Sequence, residues 1–237
     1  VKIESFSCKP LDNRCYVVWT DSAKPQKHVK AGEQASDEAF KPAVVIDPSF
    51  ALQPVLDFSA KHGLQIGLIV NTHGHPDHVF NNFELRQATG ARLCVHELDS
   101  LRLCREEPAA KPWMPRQPVC QMADFTFRDN DVLEFGGIDL RVIHTPGHTP
   151  GSSCLLLENA KGKVLFTGDT LFKGTFGRTD LEGGDVKAMA ETLAKLCKLP
   201  NDARVMPGHG IQTTIASERA WMEKAACGKD ERLKLPV

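Results

Sequence analysis

Short apolar runs alternate along this chain with segments of helical spacing. Residues 3–8 and 15–20 read as strands around a turn at Leu11 to Arg14, and 43–47 (AVVID) as a third strand. Between them, residues 21–42 are polar and aperiodic, which predicts an exposed insertion. From Phe50 to His62 the apolar positions fall at helical intervals, and Gly63 suits the helix stop. Residues 66–70 are apolar throughout and read as a buried strand. Helices are predicted over 78–89 and 97–104, on either side of a strand at 92–95. Residues 105–121 hold four prolines and read as a stiff loop, either a surface connection or a pocket wall. Strands 132–135 and 138–144 make a hairpin around Gly136-Gly137, and 154–157 with 164–167 a second one around 159–163. A glycine-rich stretch then leads to a helix over 185–198, a strand at 204–206, a helix over 215–226 and a polar tail expected to fray from Gly228. No shift in composition divides the chain, so a single domain over 1–237 is expected.

The polar residues that end these strands carry the chemistry. After 66–70 come His73, His75, Asp77 and His78, and by themselves they could be a surface loop. Three further strand ends repeat the pattern, delivering His148 after 138–144, Asp169 after 164–167 and His209 after 204–206. Neutral imidazole and carboxylate are ligands for zinc, iron and manganese. In an extended segment residues 73, 75 and 77 project to one side, so His78 points elsewhere and implies a second metal position. Seven donors exceed one tetrahedral ion and suit two ions about 3.5–4 Å apart. The expected division is His73, His75 and His148 on one ion, Asp77, His78 and His209 on the other, with Asp169 between them. Two zinc ions are the expected cofactors, with iron or manganese as substitutes, and water activated between them is the expected nucleophile. His28, His62, His96 and His144 are read as ordinary side chains.

Composition narrows the partners. A net charge of -1 gives no electrostatic case for nucleic acid or a membrane surface, and no apolar run approaches a spanning helix. The first residues lack a signal-peptide core, so a cytoplasmic location is expected, or an organelle if a targeting segment preceded Val1. Eight cysteines contain no CxxC pair, which favours free thiols in a reducing compartment over a disulfide scaffold. The oligomeric state has no signal in the sequence.

The motifs THGHPDH, TPGHTPGS, GDTLF and PGHG, in that order from residue 72 to 210, closely resemble those of the metallo-β-lactamase superfamily. The resemblance implies an α/β, four-layer αβ/βα sandwich with the metals at one edge. It also implies that Asp77 is both a ligand and a catalytic hydrogen-bond partner of the nucleophile. The stretch GDTLFKGTFGRTDLEGGD is similar to glyoxalase II-like hydrolases, which cleave thioesters of the S-2-hydroxyacylglutathione type. By this resemblance Arg178 anchors a substrate carboxylate; the other reading pairs it with Asp180 or Glu182 to brace its loop. The C-terminal helical domain with which longer glyoxalase II enzymes grip glutathione has no counterpart in the residues after His209.

A dinuclear hydrolase of a small anionic thioester or related acyl compound is therefore the leading reading. A thiolate of pKa about 8.5 leaves without a general acid. The alternatives are a mononuclear iron persulfide dioxygenase, with iron on His73, His148 and Asp169, and a lactonase or β-lactamase-like hydrolase. A binding protein that has lost turnover is disfavoured by the complete donor set, and a nuclease by the charge balance.

Overall fold

The computed structural model describes residues 1–21, 40–104, 114, 116, 118–160 and 162–230. Its first sheet has six strands, β1 (Lys2–Cys8), β2 (Asn13–Trp19), β3 (Lys41–Ile46), β4 (Leu64–Val70), β5 (Arg92–His96) and β6 (Phe125–Phe127), adjacent in that order. The second half begins with β7 (Val132–Phe135), β8 (Ile138–His144), β9 (Ser153–Asn159) and β10 (Gly162–Gly168). A small hairpin, β11 (Leu171–Phe172) and β12 (Thr175–Phe176), stands apart before β13 (Arg204–Pro207) and β14 (Thr213–Thr214). The second sheet has the order β14-β13-β10-β9-β8-β7.

Side-chain alternation builds the layers. Tyr16, Val18, Val44, Ile46, Leu68 and Val70 pack between the sheets against Leu140, Val142, Leu155, Leu157 and Phe166. Their neighbours Val17, Trp19, Val45 and Ile69 face outward and meet Val55 of α1 (Leu52–His62), Val79 of α2 (Pro76–Val79) and Leu85 of α3 (Asn82–Thr89). On the far side Cys154, Leu156 and Leu165 meet α4 (Val186–Leu196) and α5 (Ile215–Ala226) through Met189, Leu193 and Met222. This is the expected α/β, four-layer αβ/βα sandwich.

Strand direction gathers the loops. β4 runs parallel to β3 and β5. In the second sheet β9 is antiparallel to both β8 and β10, and β10 is parallel to β13. So β8, β10 and β13 run one way and end along one edge.

The apolar run of β4 hides a bulge. Ala43 pairs with Ile66 but Val44 with Leu68, which leaves Gly67 out of register. A Cβ on Gly67 would lie 2.0 Å from Phe135 Cζ across the core. Gly67→Ala is expected to destabilise the fold by about 1–3 kcal/mol, read as a lower denaturant midpoint.

Several boundaries differ from the sequence reading. Lys41 and Pro42, assigned to the insertion 21–42, start β3; residues 22–39, His28 included, lie outside the described residues. Proline is accepted there because the β2–β3 ladder ends at the Trp19–Ala43 pair, one residue short of it. The helix expected over 78–89 is two, α2 and α3, and 97–104 is a 3-10 helix. Most of 105–121 lies outside the described residues, but Met114 is buried. β6, β14 and the β11–β12 hairpin were not foreseen, being only two or three residues each. Gly228 and Lys229, assigned to a fraying tail, donate to Ala225 O and Lys224 O. Among the cysteines, Cys104 and Cys120 form a disulfide, against the free-thiol expectation, while Cys8, Cys15, Cys94 and Cys154 are buried thiols. That pairing removes the cysteine argument for a reducing compartment. No helix among the described residues is long and apolar enough to cross a membrane.

Candidate metal centre

The β4 strand delivers Asn71 and Thr72 and then turns at Gly74, where a Cβ would lie 2.5 Å from Arg102 Cβ. Close approach to the 3-10 helix is therefore reserved for glycine. His75 ends the turn in extended conformation, and Pro76 opens α2 with Asp77 and His78 in its single turn. From the second sheet, β8 leads to His148, β10 to Asp169 and β13 to His209. All seven residues expected from the sequence meet at this edge.

They form two triads. Single donor atoms of His73, His75 and His148 lie within 4.8 Å of one another, and so do those of Asp77, His78 and His209. Asp169 stands between the triads. Its Oδ1 is 3.2 Å from His78 Nε2, while its Oδ2 is 3.5 Å from His148 Nε2 and 3.4 Å from His209 Nε2. Gly208 permits this crowding: a Cβ there would lie 2.4 Å from Asp169 Oδ1 and 2.7 Å from His78 Cε1.

The outer ring nitrogens are occupied, which aims the inner ones. His148 Nδ1 is 2.7 Å from Arg178 O, and His209 Nδ1 is 2.9 Å from Leu11 O. His78 Nδ1 is 2.9 Å from Asp47 Oδ2. Such partners fix the tautomer and strengthen the remaining nitrogen as a ligand. Asn13 donates from Nδ2 to Asp77 Oδ2 at 2.9 Å and so orients that carboxylate.

Electrostatics divides the imidazoles. Burial drives His73 well below the usual histidine range and His75 down to about 3, helped by the neighbouring imidazoles. Burial is the largest single influence on His78 and His209 and opposes their charge, but the surrounding carboxylates, Asp169 first among them and Asp77 beside it, together outweigh it; His78 is raised well above its usual value and His209 to about 10. Asp77 and Asp169 are held low because the attraction of these imidazoles exceeds the desolvation that would raise them.

A cation fits this donor set. His73 Nε2 is buried and has no hydrogen-bond partner among the described residues. His75 Nδ1 and His148 Nε2 approach to 2.8 Å, so two imidazole nitrogens from opposite sheets converge on one point. Asp169 Oδ1 is likewise buried without hydrogen-bond geometry, despite its contact with His78. The His and Asp groups thus imply a bound divalent metal.

Residues 41–209 match the metallo-beta-lactamase superfamily. The chain belongs to that superfamily. Its relatives include hydroxyacylglutathione hydrolases, in line with the glyoxalase II-like motifs. Hydroxyacylglutathione hydrolase GloC of Haemophilus influenzae is 28% identical over 222 residues, covering 92% of this chain and 95% of that protein. Among solved structures, the BLEG-1 B3 metallo-beta-lactamase superposes with TM-score 0.76 at 26% identity, covering 92% of this chain and 97% of its own. TTHA1623 in a di-iron-bound form gives TM-score 0.72 at 30% identity, covering 91% and 96%.

Asp47 and Asp99, besides Asn13, escaped the sequence reading. Asp47 accepts from Thr72 N at 2.8 Å and Thr72 Oγ1 at 2.6 Å besides holding His78. Its signal was present: an apolar strand running into an acidic residue, as at the other loops. Asp99 is 0% exposed and accepts from Gly74 N at 2.8 Å, Gly151 N at 2.7 Å and Thr149 Oγ1 at 2.7 Å. It ties the His73–His75 turn to the His148 loop, yet in ELDSLRL it looks like any solvated helix carboxylate. Arg178 makes a two-point pair with Asp180, from Nε at 2.9 Å and Nη2 at 2.5 Å. His96 and His144 stack on each other with ring centroids 4.2 Å apart, and His62 lies against Phe58, all outside the triads.

Proposed function

We propose that this superfamily member is a dinuclear metal hydrolase of a thioester or related activated acyl compound, of the S-2-hydroxyacylglutathione type. One observation carries the reading: the Asp169 carboxylate touches both triads, its Oδ2 lying between His148 of one and His209 of the other while its Oδ1 faces His78. The full-length likeness to a protein named hydroxyacylglutathione hydrolase supports the substrate class, and the di-iron relative supports two ions. His73, His75 and His148 would hold one ion, Asp77, His78 and His209 the other, and Asp169 both. Zinc is the first candidate, and the di-iron relative keeps iron beside it.

A pair of divalent ions supplies Lewis acidity and a water that ionises near neutral pH. The chain's own residues do the positioning. Asp77, fixed by Asn13, keeps a carboxylate oxygen toward His209 and would be placed to accept a hydrogen bond from a nucleophilic water. Thr72, Asp47 and Asp99 hold the ligand turns still, so the donors need no rearrangement during turnover. The thiolate leaves without an acid, which matches a site in which Asp77 and Asp169 are held ionised.

The deciding experiment measures metal content in protein purified without added metal, together with hydrolysis of an S-2-hydroxyacylglutathione. Two ions per chain with hydrolysis are expected; one iron with oxygen uptake on a persulfide would overturn the reading.

Metal uptake should release protons. His209 is raised to about 10 without metal, so it is protonated at pH 8 and must lose the proton to bind; His78 is shifted in the same direction. Affinity should therefore rise with pH, and calorimetric titration at pH 8 should show an enthalpy that depends on the buffer. Arg178→Ala should change KM for anionic thioesters by less than about threefold, because Asp180 already occupies the guanidinium. A rise of tenfold in steady-state KM would restore the anchoring role.

A further inference from the structure

The His209 loop has a second side. Gly210, Ile211 and Gln212 line a cavity of about 370 Å³ together with Ser5, Arg14 and Tyr16. It opens where β1 and β14 form the outer strands of the two sheets. Ser5 pairs with Tyr16 and Ser7 with Arg14, so alternation puts these side chains on the inter-sheet face, where Tyr16 packs on Phe166.

Among the described residues, Arg14 is the only charged one in that lining. Its Nε is buried and has no hydrogen-bond partner among the described residues. The nearby carboxylate, Asp12, stays 3.5 Å from the terminal nitrogen and is itself held by Ser7 Oγ at 2.5 Å. The Arg14 side chain is nevertheless 22% exposed, and the two terminal nitrogens of a guanidinium form a fork that a carboxylate can fill with two hydrogen bonds. Ser5 and Gln212 place further donors in the same wall.

The cavity adjoins the metal centre through two chain segments. Arg14 N donates to Gly208 O at 2.7 Å, and its neighbour Asn13 donates to Asp77. Gly210 of the lining follows His209 directly. We propose that this cavity is a carboxylate-binding subsite, in which Arg14 anchors a carboxylate on the thiol arm of the substrate. The assignment rests on the thioester reading above. It gives the chain an anchoring cation where Arg178 is taken by Asp180.

A pair of substrates tests it: S-acetyl-3-mercaptopropionate and its methyl ester. The wild-type protein should bind the acid better, with KM lower by about ten- to a hundredfold. In Arg14→Gln the acid should lose that advantage, so that acid and ester share one KM; Arg14→Lys, which keeps the charge but not the fork, should recover only part of it. An Arg14→Gln protein that still prefers the acid as strongly as the wild type overturns the proposal. If neither thioester is hydrolysed, the thioester reading fails separately. Calorimetric titration with 3-(methylthio)propionate then decides the subsite: heat with the wild type and none with Arg14→Gln supports it, and equal heats or none with both overturn it.

Discussion

Asp169→Ala is expected to lose at least one ion per chain and to lower thioester turnover by a factor on the order of 10³. The carboxylate faces three imidazole nitrogens drawn from both triads, at 3.2 to 3.5 Å. Without it, His78 and His209 lose the leading attraction that raises them, and the two triads lose the carboxylate that touches both. Asp169→Asn keeps the shape but not the charge, and should rank between alanine and wild type in metal content. Metal analysis and steady-state kinetics on the same preparations check both variants. Full metal content with a wild-type rate would remove Asp169 from its place between the triads.

Asp99→Ala should act through the fold. Its carboxylate is the acceptor for two backbone N–H groups and one hydroxyl from two different loops, all buried. Arg102 lies 3.6 Å away and would keep its charge without this partner. Each stranded donor costs about 1–3 kcal/mol, so a loss of roughly 3–5 kcal/mol is expected. For a chain of this size that lowers the melting temperature by about 10 °C. Metal affinity should fall with it, since Gly74 and Gly151 flank His73, His75 and His148. Thermal melts with and without added zinc separate the two effects. Asp99→Asn should fall between, because its amide oxygen can still accept while its amino group faces N–H donors.

The sequence carried the metal centre more clearly than the scaffold around it. Each donor segment follows a strand end and carries a glycine, and an apolar strand that stops at a histidine or aspartate is a local signal. The long strands and both hairpins were legible because apolar runs and Gly136-Gly137 are local as well; those glycines do adopt φ of 57° and 83°. β6 and β14 were not, since strands so short exist only through their neighbours. Asp99 and Asn13 were hidden for the same reason: their partners lie 25 to 64 residues away in sequence. Lys41 and Pro42 misled because local chemistry argued for a loop, while parallel pairing with Leu64 and Gln65 decided for a strand.

The origin of the donors has a mechanical consequence. Each triad takes two side chains from the turn after β4 and one from a strand end of the opposite sheet, His148 or His209. An ion in either triad would thus be a rivet through both halves of the sandwich, at an end where ligand loops rather than apolar side chains face each other. Chelation would then unfasten that end, and the protein's resistance to heat and protease would follow its metal content as closely as its activity does.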